Sequence, residues 1–130
     1  MEARYNYNRQ ISPPAPFVHV TISRPDNAGA AAINVPAQLD SAADISVIPA
    51  DLVERLQLVQ LDETAVVGFG GHVSLSPAYL VNLALQPFDS IPVRVLADRD
   101  EAFVLLGRDV LNRYRVLLDG PGLTVDLQSS

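Results

Sequence analysis

The sequence predicts an all-β fold, and two observations carry that prediction. From Phe17 onward, apolar and polar residues alternate with a period of two over most of the chain, which is the pattern of strands with one buried face. Helical spacing appears only in two short segments, residues 49–56 and 108–114. A length of 130 residues allows one domain with a substantial core and is too short for two of full size. We therefore expect a single, mostly β domain with one or two short helices.

The chain begins with a segment of a different kind. Residues 1–16 are polar and then proline-rich, which favours a flexible N-terminal arm over a packed element. The folded domain is predicted to cover residues 17–128. Its strands are marked by alternating apolar residues in five stretches: residues 18–22, 33–39, 72–85, 91–95 and 123–127.

The two helical segments reveal a weak internal duplication. In the first copy an apolar strand leads to Asp40 and then to a helix that Pro49 suits as a first turn. In the second copy a similar strand leads to Gly107 and then to the other helix. An acid in one copy therefore corresponds to a glycine in the other.

Composition excludes several classes of function. The formal charge of −6 argues against a nucleic-acid partner, whose phosphates require a basic footprint. The chain has no cysteine, and its nine basic residues are all arginine, so thiol nucleophiles, Schiff-base lysines and P-loop lysines are absent. His19 and His72 are the only histidines, and neither has a second histidine at the spacing of a zinc motif. Carboxylates and hydroxyls remain as candidates for chemistry.

One carboxylate stands at the end of an apolar strand. Asp40 follows the stretch that ends at Leu39 and precedes Ser41 and the small residues Ala42 and Ala43. An isolated Asp-Ser pair more often marks an ordinary turn or helix cap. Further motifs are therefore needed to give Asp40 a function.

A glycine-rich tip joins two strand-like arms between Val66 and Val73. Gly68, Gly70 and Gly71 permit the positive φ angles and bending of a hairpin tip. A dinucleotide-binding loop would need a glycine at Val73 and a helix after it, whereas the sequence continues with strand alternation. The segment is predicted to be a β-hairpin.

The third motif is the apolar run from Phe103 to Leu106 that turns at Gly107 into Arg108 and Asp109. Read alone, it is a core strand before a short helix. Taken together, in this order and at these separations, the three motifs resemble the retropepsin family of aspartic proteases over nearly all of residues 17–127. The family's Asp-Ser/Thr-Gly triplet is matched by Asp40, Ser41 and, with a departure, Ala42.

The resemblance implies a closed acid-protease barrel with a glycine-rich flap, and an aspartic endopeptidase that cleaves extended polypeptides without a cofactor or a metal. It implies that Asp40 is the catalytic acid and that the Ser41 hydroxyl supports the matching loop of the partner subunit. Asp44 and Arg108 are expected to form an ion pair that orients the loop carrying Asp40. The alternative is that both are solvated surface charges. The remaining residues that the resemblance assigns are, for loop support, Ala42 and Ala43; for the flap, Gly68, Phe69, Gly70 and Gly71; and for the substrate pockets, Val47, Val67 and Leu105.

The mechanism of such an enzyme requires two neighbouring carboxylates, and one chain supplies only Asp40. We therefore expect a two-fold homodimer acting on a peptide or protein substrate. Ala42 leaves a second possibility, a dimeric peptide-binding or assembly module of the same fold with weak or no activity. An unrelated small β-barrel in which Asp40 merely ends a strand is the third.

The expected location is the cytoplasm. The N-terminal residues lack the pattern of a secretory signal, and no apolar run approaches the ~18 residues of a membrane-spanning helix. Neither a membrane nor a nucleic acid is expected as a partner.

Overall fold

The computed structural model describes residues 1–129, apart from the side chain of Phe69. It contains ten strands, two short helices and one turn of 3-10 helix. In chain order the elements are β1 (Glu2–Asn6), β2 (Phe17–Arg24), β3 (Asn27–Leu39), β4 (Val47–Pro49), α1 (Ala50–Leu56), β5 (Gln60–Val67), the 3-10 turn (Phe69–Gly71), β6 (Val73–Leu85), β7 (Ile91–Asp98), β8 (Val104–Leu106), α2 (Arg108–Leu111), β9 (Tyr114–Asp119) and β10 (Thr124–Ser129). The predicted all-β class is confirmed.

Seven strands form the main sheet, in the order β2-β3-β8-β4-β7-β6-β5. An additional pairing between β2 and β6 closes six of these strands into a ring and leaves β5 outside it. The ring encloses the hydrophobic core, because the apolar residues that alternate along each strand point inward. Its fully buried side chains include Val20, Ile22, Ile48, Leu83 and Val95.

The alternation breaks within β3. Asn34 has a positive φ of 54°, and the pairing of β2 with β3 shifts register between Val20 and Ile22. A β-bulge of this kind reverses the face on which the following side chains lie. Ile33, which the sequence pattern places on the same face as the buried Ala37, is consequently 72% exposed.

The N-terminal segment differs from the predicted flexible arm. Residues 2–6 form β1, which pairs with β10 in a separate three-stranded sheet of order β1-β10-β9. Arg4 donates hydrogen bonds to both carboxylate oxygens of Asp126 across this pairing, and the Tyr5 hydroxyl donates to the Gln86 carbonyl. The prediction of a flexible arm was wrong because β1 is an edge strand with only one side toward the core, so that its composition is largely polar.

The predicted hairpin is present between β5 and β6, with Val67 paired to Val73 at its tip. Gly70 and Gly71 have φ angles of 77° and 76°, the region that glycine adopts at no steric cost. The Gly68 amide donates to the His72 carbonyl at 2.9 Å and closes the tip. The glycines are therefore required by the turn itself.

Both predicted helices form. Pro49 directly precedes α1, while α2 ends at Leu111 and not near Tyr114 as the spacing predicts. Tyr114 instead opens β9 and packs against Phe88, with ring centroids 4.9 Å apart. No helix in residues 1–129 is long and apolar enough to span a membrane.

Candidate active site

Asp40 lies at the point where three strands meet. It follows β3 directly, and β3 pairs in parallel with β8 through Leu39 and Leu106. On its other side β8 meets β4 through Val47 and Leu105. Because β8 lies between β3 and β4, the loop of residues 40–46 that joins those two strands must cross over it. We call residues 40–46 the active loop.

Backbone hydrogen bonds fix the active loop to its surroundings. The Asp40 amide donates to the Leu106 carbonyl at 2.9 Å, and the Arg108 amide donates to the Ala43 carbonyl at 2.8 Å. At the end of the loop the Leu96 amide donates to the Ser46 carbonyl at 3.0 Å. Bonds of the folded core thus hold both ends and the middle of the loop, which limits the movement of Asp40.

The Asp40 carboxylate is partly exposed on this rigid support. Its Oδ1 accepts a hydrogen bond from the Ala42 amide at 3.2 Å. Ala42 is exposed, and it is not among the residues with positive φ in the described chain. The active loop therefore accommodates the β-carbon of Ala42 within one chain without backbone strain.

Gly107 is the position at which the second half of the chain packs against the active loop. A β-carbon added there would lie 2.9 Å from the Ala43 carbonyl oxygen and 3.0 Å from the Ile45 carbonyl carbon. Both contacts are to backbone, which cannot move aside as a flexible side chain would. Glycine is required here by close approach, so no acid can occupy the position equivalent to Asp40 in the second copy of the duplication.

A buried hydroxyl links the same two segments, and sequence reasoning gave it no role. Ser46 is the only buried polar residue in the described chain. Its Oγ donates to Asp109 Oδ1 at 2.7 Å and accepts the Gly107 N–H at 2.9 Å, while its amide donates to Asp109 Oδ2 at 3.0 Å. The signal in the sequence is a single hydroxyl directly before the apolar strand β4, combined with an acid in the first turn of α2.

The expected ion pair between Asp44 and Arg108 is not formed. It is absent from the ion pairs of residues 1–129, and both side chains are exposed. Arg108 instead donates from Nη1 to the Ser41 carbonyl oxygen at 2.7 Å. Arg108 therefore supports the active loop by binding a backbone carbonyl of the loop. The carboxylate that supports the loop from α2 is that of Asp109.

The predicted pocket residues fall into two groups. Val47 and Leu105 are paired neighbours on β4 and β8, and Val47 directly follows the active loop. Val67 lies near the tip of the β5–β6 hairpin and is 69% exposed. Of the hairpin's other assigned residues, Gly68, Gly70 and Gly71 form the tip, and the side chain of Phe69 lies outside the described atoms.

A second acidic side chain is electrostatically coupled to Asp40. Partial burial raises the pKa of Glu101, and the neighbouring charges of Asp98, Asp40 and Asp100 raise it further. Glu101 belongs to the connection between β7 and β8. Glu101 is therefore close enough to Asp40 for their negative charges to repel each other.

Ser41 opens onto an apolar groove of about 310 Å³. The groove is lined by residues of the segment before β2, β3, α2 and β9: Pro16, Leu39, Leu111, Asn112, Tyr114, Val116 and Leu118. The described residues hold no cluster of side chains suited to a metal ion.

Comparison with known proteins gives concordant results. The model of a family described as aspartyl protease matches residues 26–110. A retropepsin-like aspartic protease from Rickettsia conorii has a similar structure, with a TM-score of 0.65 at 12% identity, covering 98% of this chain and 90% of that one. The EIAV protease in complex with an inhibitor has a TM-score of 0.57 at 23% identity, covering 83% of this chain and 92% of that one. No curated protein sequence matches.

Proposed function

The chain belongs to the aspartyl protease family and has the retropepsin fold, and from that premise we propose that it is an aspartic endopeptidase whose active site forms between two copies. The observation that carries the proposal is the position of Asp40, partly exposed on a loop that backbone hydrogen bonds hold against β8. In this position the carboxylate can reach a substrate while its loop stays fixed.

The reaction needs two carboxylates close enough to hold one proton between them. The ionised carboxylate takes a proton from water as the water attacks the scissile carbonyl, and the protonated one donates to the carbonyl oxygen. One chain offers only Asp40, and Gly107 leaves no space for a side chain at the equivalent point. A second copy therefore supplies the second Asp40, with the two-fold axis between them.

The proposed substrate is an extended peptide held beneath the β5–β6 hairpin. Val67, Val73 and Leu75 near the hairpin tip are each more than 65% exposed, which leaves an apolar surface for a substrate to cover. Val47 and Leu105 provide apolar surface from below. Closing the hairpin over the peptide would exclude water and add backbone hydrogen bonds. We expect apolar side chains on both sides of the cleaved bond.

The test is cleavage of a mixed peptide library at mildly acid pH, with and without a transition-state mimic of aspartic proteases. The Asp40→Asn variant should lose activity completely, and Asp89→Asn, which alters an exposed carboxylate in the turn before β7, should retain it. Sedimentation at micromolar concentration should show twice the chain mass. Equal cleavage by wild type and Asp40→Asn would refute the proposed mechanism.

Ala42 favours one second candidate, a dimeric peptide-binding module with weak or no catalysis. Its β-carbon is accommodated within one chain, yet in the dimer it would face the substrate and the partner's loop, where the family's motif has glycine. Ala42→Gly should therefore increase turnover if the chain is an enzyme. Tight binding of extended peptides, with no cleavage by wild type or by Ala42→Gly, would favour the binding module instead.

A further inference from the structure

We propose that Arg94 is a positioning residue, which reaches across the main sheet from β7 and holds the outer arm of the β5–β6 hairpin in place. This role rests on the proposed function, because it concerns the hairpin that would cover a peptide. Arg94 belongs to none of the three sequence motifs and lies on the strand before the connection that carries Glu101.

The hairpin projects beyond the strands that anchor it. The pairing of β6 with β7 runs from Leu83 and Ile91 to Ala78 and Leu96. Among the described residues, those at 73–77 of β6 pair with β5 alone. The outer part of the hairpin therefore depends on its own two strands, and on side-chain contacts, for its position relative to the body.

The outer arm, β5, enters the hairpin through an interrupted ladder. It is the edge strand of the main sheet. Its pairing with β6 shifts register between Gln60 and Asp62, so that Leu61 is left out of the register. A bulge of this kind disrupts the ladder locally and bends the strand. Backbone hydrogen bonds alone thus fix the direction of β5 less firmly than in a regular strand.

Arg94 supplies side-chain contacts just beyond the bulge. Its Nε and Nη2 donate hydrogen bonds to Asp62 Oδ1 at 3.3 and 2.9 Å. The same Nη2 also donates to the Thr64 hydroxyl. One guanidinium therefore binds two alternate residues of β5, which lie on the same face of the strand.

The register shows how far this contact reaches. Arg94 lies opposite Leu80 on β6, and its two partners on β5 lie opposite Ala78 and Ser76. Paired residues point to the same face of a sheet, so the side chain crosses β6 on one face. Ser76 is two positions beyond Ala78, the last residue of β6 that pairs with β7. The contact thus connects a strand of the body to the projecting part of the hairpin.

The contact depends on the shape of a guanidinium as well as on its charge. The planar fork of arginine donates to a carboxylate and a hydroxyl at the same time, whereas the ammonium group of lysine is a flexible point charge. The side chains of Arg94 and Asp62 are 36% and 55% exposed. Since an exposed ion pair adds little to global stability, we expect the loss of Arg94 to change local opening of the hairpin more than global unfolding.

An apolar cavity beside the bulge gives β5 room to move. It has a volume of about 200 Å³, and its lining includes Pro25 in the β2–β3 turn, Val59, Leu61 and Leu80. Val59 and Leu61 are 78% and 56% exposed. The start of β5 can therefore tilt without displacing close-packed side chains, and the contacts of Arg94 oppose that tilt.

The position of the hairpin affects substrate binding before it affects chemistry. A hairpin with a wider range of positions spends less time in the one that accepts a peptide, and the apparent dissociation constant rises as that fraction falls. Once bound, the peptide itself holds the hairpin in place. Loss of Arg94 should therefore raise KM and leave kcat nearly unchanged.

The first experiment is hydrogen–deuterium exchange of the free protein, which requires no catalysis. Arg94→Gln should speed exchange of the hairpin amides, residues 62–67 and 73–77, about fivefold and leave the amides of β10 unchanged. Arg4→Gln is the matched control, because it removes an arginine–aspartate contact of the same kind in the other sheet. Equal hairpin exchange in the two variants would overturn the proposal.

A double substitution tests whether Arg94 acts through β5. Asp62→Ala alone should also speed hairpin exchange. Adding it to Arg94→Gln should have little further effect, because the contact between the two side chains is already lost. Additive increases in the double variant would show that Arg94 does not act through Asp62 and would contradict the proposal.

The second experiment is steady-state cleavage of an extended peptide. Arg94→Gln should raise KM about fivefold with kcat within about twofold of wild type. Arg94→Lys should recover only part of the lost affinity, since it keeps the charge without the fork. A fall in kcat at unchanged KM would overturn the positioning role.

The two experiments separate this role from the proposed function. Faster hairpin exchange in Arg94→Gln, in a protein that cleaves no peptide, supports the contact with β5 and counts against the protease alone. A wild type that cleaves peptides, combined with unchanged exchange and KM in Arg94→Gln, overturns the role of Arg94 and leaves the protease intact.

Discussion

Replacing Ser46 by alanine tests the link between the active loop and the second half of the chain. The side chain is fully buried, and its Oγ both donates to Asp109 and accepts the Gly107 N–H. The substitution leaves that N–H buried and unsatisfied, at a cost of about 1–3 kcal/mol, and removes a hydrogen bond to a carboxylate, worth about 1.5–3 kcal/mol. Because Asp109 keeps its bond from the Ser46 amide, we expect a total loss of about 2–4 kcal/mol.

The measurement is urea unfolding at neutral pH and at fixed protein concentration, since the stability of the proposed dimer would depend on concentration. Ser76→Ala is the matched control, because its half-buried hydroxyl makes one longer bond, 3.3 Å, to the Ala97 carbonyl. That variant should lose less than about 1 kcal/mol. Turnover should also fall in Ser46→Ala, since the loop that carries Asp40 loses its brace. A free energy of unfolding within about 0.5 kcal/mol of the wild-type value would show that the hydrogen bonds of the Ser46 side chain do not hold the loop.

Three further predictions concern stability. Gly107→Ala should destabilise the fold by at least about 1–3 kcal/mol in urea, since its β-carbon meets the Ala43 carbonyl at 2.9 Å; wild-type stability would exclude the close approach. Arg4 lowers the pKa of Asp126. The ion pair therefore stabilises the folded state at neutral pH, and this stabilisation is lost as the pH falls through the lowered pKa. Asp126→Asn should lower the Tm at pH ~7 but not at pH ~2. The pKa of Glu101 is raised, so its ionised form costs stability above that pKa and the cost vanishes below the ordinary value of ~4.3. Glu101→Gln should consequently raise the Tm at neutral pH and leave it unchanged at pH ~3, and a lowered neutral Tm would contradict the assignment.

Local pattern was sufficient to predict β2, β3, β6, β7 and β10 and the hairpin. Alternation follows directly from a sheet with one buried face, and the glycines at the hairpin tip adopt the positive φ angles that their sequence suggests. The same reasoning placed Asp40 at the end of a strand, where it lies. The bulge at Asn34, which turns Ile33 outward, carries no comparable signal because it depends on how β2 and β3 pair.

Contacts between distant segments were harder to predict. The resemblance favoured Asp44 as the acid that supports the active loop, whereas in the structure Asp109 makes that contact. The choice depends on the close approach at Gly107, which brings the start of α2 onto Ser46 and directs Arg108 to a backbone carbonyl. Likewise β1 was missed because a strand on a polar sheet edge has the composition of a free arm.

The insertion of β8 between β3 and β4 also affects when the active loop can become ordered. Gly107 and Ser46 make contact although they are 61 positions apart, and pairing over such separations is a slow step in folding. During synthesis, Asp40 leaves the ribosome well before β8, the strand that must insert between β3 and β4. A nascent chain thus carries Asp40 early but gains an ordered active loop only when β8 and the start of α2 have emerged.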